Sequence, residues 1–135
     1  YFIQFICREA YDILDQHLTE GTKPTFPIND IIRKLDNDFF AGRWSQATDR
    51  QRVLLTLIAK SGKKEFTITE VVELAKNEPD TKPFSSSLVS QMFTKLIAES
   101  LLYKNRRGSY SFAVPLLDQY IIRYDKARYL IEAKP

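Results

Sequence analysis

Residues 84–115 read FSSSLVSQMFTKLIAESLLYKNRRGSYSFAVP, and this stretch decides the fold class. Its apolar spacing predicts a helix over residues 86–99, with Ser85 as the N-cap. Two short runs of strand-forming residues follow at 101–104 and 110–113, and they are separated by a basic turn. The stretch therefore predicts a helix that leads directly into a β-hairpin.

Two further helices are predicted before this stretch. Thr48 opens a capping box for a helix that ends at Gly62. Thr69 is expected to cap a shorter helix over residues 70–76. Between the two helices, residues 66–68 alternate in the manner of a short strand.

The complete order is helix, short strand, helix, turn, helix, hairpin and helix. Pro115 is expected in the first turn of the last helix. The inner face of this last helix is predicted to consist of Leu116, Leu117, Tyr120 and Ile121. We therefore predict a mainly α fold with a small β-hairpin, in which residues 47–123 form a winged helix-turn-helix domain. Residues 124–135 are a basic, amphiphilic C-terminal tail with no assigned structure.

Residues 1–46 contain two more amphipathic helices, separated by a loop over residues 21–27. The apolar positions of the first are Ile3, Ile6, Ala10, Ile13, Leu14 and His17, and those of the second are Ile28, Ile31, Ile32, Leu35 and Phe39. Two such helices bury little surface alone, so we interpret them as the end of a larger helical domain. The aromatic stretch at residues 39–44 is predicted to be the junction with the winged helix.

Charge is unevenly distributed along the 135 residues, whose net charge is +3. Residues 1–48 carry −2, whereas residues 49–135 carry +5. Such an asymmetry favours an anionic partner for the second part.

The residue inventory argues against catalysis. Cys7 and His17 are the single cysteine and histidine, so they cannot supply a disulfide or the usual zinc ligands. We expect Cys7 to be a buried thiol and His17 a packing residue. The nucleotide, zinc-protease and hydrolase motifs are also missing. We therefore predict no catalytic residue, metal or cofactor in this chain, no membrane partner, and a reducing, cytoplasmic setting.

Two groups of side chains are candidates for DNA contact. The first is the outward face of the predicted helix 86–99, which consists of Ser86, Ser87, Ser90, Gln91, Thr94 and Lys95. The second is the turn of the hairpin, with Lys104, Arg106 and Arg107. A solvated helix face and a charged hairpin edge are the alternative interpretations of the same residues.

Three runs, at residues 48–55, 88–96 and 107–116, resemble the C-terminal region of prokaryotic AAA+/STAND-type ATPases. In those proteins a nucleotide-binding module is followed by a helical lid and then by a winged helix. Residues 1–8 are similar to the last lid helix, and residues 39–44 resemble the junction. The resemblance implies that residues 1–46 are a partial lid, and that ATP and Mg²⁺ are bound by a parent protein through motifs upstream of Tyr1. No nucleotide-binding residue is carried over to this chain, which we expect to be a fragment because it opens on Tyr1.

The predicted function is therefore a non-catalytic module at the C-terminus of a larger ATPase that binds double-stranded DNA. The alternative is a protein-interaction or autoregulatory winged helix that docks on the ATPase core or on another protein. It would use the same surface or the aromatic tail with Tyr124 and Tyr129. The sequence does not predict the oligomeric state.

Overall fold

The computed structural model describes residues 2–21 and 28–132, and it is mainly helical with one small hairpin. This is the predicted fold class. Apart from Gly21, the loop predicted over residues 21–27 lies outside the described residues. The chain divides into two compact units, Tyr1–Gly42 and Arg43–Pro135.

The first unit contains α1 (Phe2–Thr19), α2 (Ile28–Leu35) and a π-helical turn (Asp36–Phe40), and α3 (Ala41–Gln46) begins at its end. Its buried apolar residues are Ile31, Leu35, Phe39 and Phe40. The Phe5 and Phe39 rings are 5.9 Å apart, which joins α1 to the π-helical turn.

The expectation of a buried Cys7 is wrong, because its thiol is exposed. Spacing of four residues places Cys7 on the same face of α1 as Ile3 and Tyr11. Ile3 is 74% exposed and Tyr11 is 70% exposed. The apolar position Ile3 is therefore not part of the core.

In the second unit, α4 (Asp49–Ser61) begins and ends as predicted. The Thr48 hydroxyl accepts a hydrogen bond from the Gln51 backbone N–H, and the Gln51 side chain accepts one from the Thr48 N–H. This confirms the capping box. Gly62 closes the helix with φ of 73°, a left-handed conformation that costs glycine little.

The start of α5 (Ile68–Lys76) differs from the prediction. Thr67, rather than Thr69, is the N-cap, and its hydroxyl accepts from the Glu70 N–H at 3.2 Å. The strand predicted at 66–68 is reduced to a single bridge between Phe66 and Tyr110, because Ile68 already belongs to the helix.

Helix α6 (Ser86–Ala98) follows an irregular turn and has Ser85 as its N-cap, as predicted. Strands β1 (Leu102–Lys104) and β2 (Tyr110–Phe112) then form an antiparallel hairpin in which Leu102 lies opposite Phe112. The hairpin and α6 share an aromatic core, with 4.7 Å between the Phe93 and Tyr110 rings.

The last helix, α7 (Leu117–Glu132), begins two residues after Pro115. Leu116 adopts φ of 69° just before the helix and is 36% exposed, so its assignment to the inner face is wrong. Leu117, Tyr120 and Ile121 are buried as predicted. The helix also includes most of the segment that the sequence leaves as a tail.

The helices and the hairpin of the second unit pack against one another. Helix α4 contacts α5 and α7, α5 contacts α6, and α6 contacts β1. Val53 of α4 and Ile97 of α6 belong to the apolar spacing of their helices but are each 37% exposed.

Candidate nucleic-acid interface

The outward face of α6 is set by the residues that its other face buries. Val89, Met92, Phe93 and Leu96 point into the core. The six predicted contact residues on the opposite side, Ser86, Ser87, Ser90, Gln91, Thr94 and Lys95, are all exposed. The Thr94 hydroxyl donates to the Ser90 carbonyl at 3.1 Å, so its oxygen remains able to accept.

The end of β1 and the turn that follows it expose the other predicted cations, Lys104, Arg106 and Arg107. Asn105 shapes this turn, because its side-chain oxygen accepts from the Arg107 N–H at 2.9 Å and from the Ser109 N–H at 3.0 Å. Gly108 completes the turn with φ of +81°, where a side chain would be strained. The two arginines are thus presented on an ordered backbone.

The ammonium of Lys104 lies 5.6 Å from the centroid of the Tyr110 ring. Such a contact holds the cation near the hairpin without neutralising its charge. Tyr103, which precedes Lys104 on β1, is 56% exposed. The hairpin therefore offers an exposed aromatic ring beside its cations.

Carboxylate pairing distinguishes these cations from most others in the second unit. Six cations elsewhere in the unit hold a carboxylate within 4.0 Å, namely Arg52, Lys60, Lys63, Lys64, Lys76 and Arg128. Among the described residues, Lys95, Lys104, Arg106 and Arg107 make no ion pair, and residues 83–116 contain a single acid, Glu99. We name these four cations and the exposed polar residues of α6 the basic surface.

The structure brings the two predicted groups into one packed pair of elements. The Phe93 ring of α6 contacts Tyr110 of β2, and the Leu101 N–H donates to the Leu96 carbonyl at 2.9 Å. The hairpin therefore follows α6 without an intervening flexible segment.

Lys82 is a cation of this region that the sequence analysis did not select. It is exposed and lies in the turn before Ser85. Like Lys126 on α7, it makes no ion pair among the described residues. Its backbone carbonyl accepts from the Arg50 guanidinium at 2.9 Å, which ties the turn to α4. Its position just ahead of a helix N-cap was the available signal in the sequence.

Within the described ranges, no three His, Cys, Asp or Glu side chains are grouped so that they could hold a metal ion. No described helix is both long enough and apolar enough to cross a membrane.

Residues 37–121 match the family described as Domain of unknown function (DUF8462). The chain belongs to this family. The matched region is more than half of the chain and runs from the π-helical turn into α7, so it includes the whole basic surface. No curated protein and no solved structure matches the chain.

Proposed function

We propose that this DUF8462 chain is a non-catalytic module that binds double-stranded DNA through the basic surface. The observation that carries the proposal is the absence of carboxylate partners for Lys95, Lys104, Arg106 and Arg107 among the described residues. Cations that are already paired within the protein gain less from a phosphate. Free cations release condensed counterions from DNA when they bind, and this release drives association.

The polar residues of α6 supply the second part of the argument. Short serine and threonine side chains allow a helix to approach phosphates closely, and Gln91 has the donor and acceptor pair that reads adenine in a major groove. We interpret α4–α6 and the hairpin as a winged helix-turn-helix, with α6 as the recognition helix and the hairpin as the wing.

The proposed parent protein is a cytoplasmic prokaryotic ATPase with this module at its C-terminus. This part of the proposal rests on the resemblance of residues 48–55, 88–96 and 107–116 to AAA+/STAND-type ATPases. ATP and Mg²⁺ would then act in the parent, outside this chain. ATP hydrolysis by the full-length protein, measured with and without duplex DNA, tests this part separately.

DNA binding is tested by fluorescence anisotropy with a labelled duplex of about 30 base pairs over a series of salt concentrations. The test variant is Arg106→Ala with Arg107→Ala. The matched control is Lys63→Ala with Lys64→Ala, which removes two neighbouring cations of the same unit that are paired with Glu70 and Asp118.

We expect the wild type to bind with a steep salt dependence. The test variant should bind more weakly, and its slope of log affinity against log salt should fall by about two units. The control should leave the slope within about half a unit of the wild type. Absence of binding at low salt, or an equal effect of both variants, would overturn the proposal and favour a protein-interaction role for the same surface.

A further inference from the structure

The second unit contains a groove that the basic surface does not use. It has a volume of about 680 Å³ and lies between α4, α7 and the turn that precedes α6. None of the nine residues predicted to contact DNA lines it. A groove of this size falls within the range of ligand and peptide sites.

Three aromatic side chains line the groove, Trp44, Tyr124 and Tyr129. The Trp44 and Tyr124 rings are 5.7 Å apart, and Trp44 is only 3% exposed. Tyr129 is 64% exposed. The aromatic lining therefore runs from a buried base to an open rim.

Most charges on the groove walls are already neutralised. Asp49 pairs with Arg52 at 3.3 Å, Asp125 with Lys60 at 2.7 Å and Glu132 with Arg128 at 2.8 Å. The hydrogen bond to Asp125 raises the pKa of Lys60 above its usual value, which keeps the Lys60 ammonium charged. These pairs leave no net charge on the walls.

Two carboxylates on the rim lie outside these ion pairs. Glu78 and Asp80 line the groove from the turn between α5 and α6, and neither makes an ion pair among the described residues. Both side chains are exposed. Glu78 also interacts electrostatically with Lys60. The five carboxylates and three cations that line the groove nevertheless sum to −2, in contrast to the positive charge of the basic surface.

Trp44 supplies an observation of a different kind. Its indole Nε1 is buried and has no hydrogen-bond acceptor in the described part of the chain. Buried N–H groups in native proteins nearly always have an acceptor. Because Nε1 is solvent-inaccessible, the indole reports on binding through its ring environment and not through a hydrogen bond to the ligand.

We propose that this groove binds an extended basic segment of a partner protein, with an arginine or lysine directed to Glu78 and Asp80. The aliphatic stem of such a residue packs on the tyrosine rings while its charged end meets the carboxylates. Arginine fits best because its planar guanidinium stacks on aromatic rings and also donates two parallel hydrogen bonds to a carboxylate. The partner is thus opposite in charge to the DNA that we propose for the basic surface.

The sequence provides its own reporter, because Trp44 is the single tryptophan of the chain. The probe is a blocked synthetic hexapeptide, Leu-Arg-Gly-Leu-Arg-Gly, titrated into the full chain. Binding is followed by tryptophan fluorescence and by the indole N–H cross-peak in a ¹⁵N NMR spectrum. A second peptide with citrulline in place of arginine keeps the shape and removes the charge.

The test variant is Glu78→Gln with Asp80→Asn. The matched control is Asp12→Asn with Asp15→Asn, which removes two exposed carboxylates of α1, in the other compact unit, that also make no ion pair among the described residues. Circular dichroism checks that all variants remain folded. None of these four residues belongs to the basic surface, so DNA binding serves as an independent readout.

We expect the arginine peptide to shift the Trp44 signals and the citrulline peptide to bind far more weakly. The test variant should weaken arginine-peptide binding about three- to tenfold, whereas the control should change it less than twofold. No Trp44 response at millimolar peptide, equal binding of the citrulline peptide, or equal weakening by both variants would overturn the proposal. A stronger response to spermidine than to the peptide would overturn it as well, since a small polyamine would then be the ligand.

Discussion

At the scale of single residues, Thr67 stabilises the first turn of α5 by accepting a hydrogen bond from the Glu70 N–H. Thr69 is exposed inside the same helix and makes no such bond. Thr67→Ala should therefore lower the free energy of unfolding by about 1 kcal/mol. Thr69→Ala should change it by less than about 0.5 kcal/mol, because alanine is the better helix former. Urea unfolding measures both values, and a larger loss for Thr69→Ala would contradict the observed helix start.

The ion pair between Lys63 and Glu70 gives a prediction about pH. The ammonium of Lys63 lies 2.6 Å from the Glu70 carboxylate, and this hydrogen bond lowers the pKa of Glu70 below its usual value of 4.5. A depressed folded-state pKa stabilises the protein above the unfolded-state pKa, and this contribution is lost as the pH falls through the folded-state pKa.

The stability difference between the wild type and Glu70→Gln should therefore be present at pH 7 and should shrink as the pH falls below about 4.5. Urea unfolding at several pH values measures it. In a Lys63→Ala background the difference should largely disappear. A difference that is independent of pH would show that the pair does not couple to folding.

The sequence predicted some of these residues and not others for identifiable reasons. Thr48, Gly62 and Ser85 were recognised because each lies at the edge of a clear apolar pattern. Thr67 was missed because the β-type alternation at 66–68 suggested a strand, and Thr69 appeared to be the first available cap. The pairing of Phe66 with Tyr110, which is 44 positions away, is a tertiary contact that no local pattern contains.

At the scale of elements, the contact between α6 and the hairpin depends on Phe93. This ring is 1% exposed and lies between Phe66, at 5.9 Å, and Tyr110, at 4.7 Å. Phe93→Ala should cost about 3–5 kcal/mol of stability, since it empties a buried aromatic site. Ile97→Ala on the same helix should cost about 1 kcal/mol or less, because Ile97 is 37% exposed. Thermal unfolding compares the two variants, and equal losses would contradict the observed orientation of α6.

The ends of α7 show the limit of element prediction. Proline at the start of a helix is a general preference, but the left-handed Leu116 delays this helix to Leu117. At the other end, the helix continues to Glu132 with Tyr129, Leu130 and Ile131 largely exposed. The sequence beyond Arg123 is amphiphilic, but these apolar residues do not join the core, so a pattern of core positions could not reveal this part of the helix.

At the scale of the whole chain, we propose two sites of opposite charge, the basic surface and the groove. The basic surface was predicted from residue types, and the structure adds that its cations lack carboxylate partners among the described residues. The groove could not be predicted, because its lining comes from α3, α4, α7 and the turn before α6. These segments are far apart in the sequence, so no local pattern shows that they line the same groove.

The central claim is that duplex DNA binds to α6 and the hairpin turn. Amide chemical-shift mapping of the ¹⁵N-labelled chain, titrated with a short duplex at low salt, tests it most directly. We predict that the largest shifts fall within residues 82–95 and 103–109, while the Trp44 indole signal stays in place. Shifts centred on α4, α7 or the Trp44 indole, or no shifts at all, would contradict the claim.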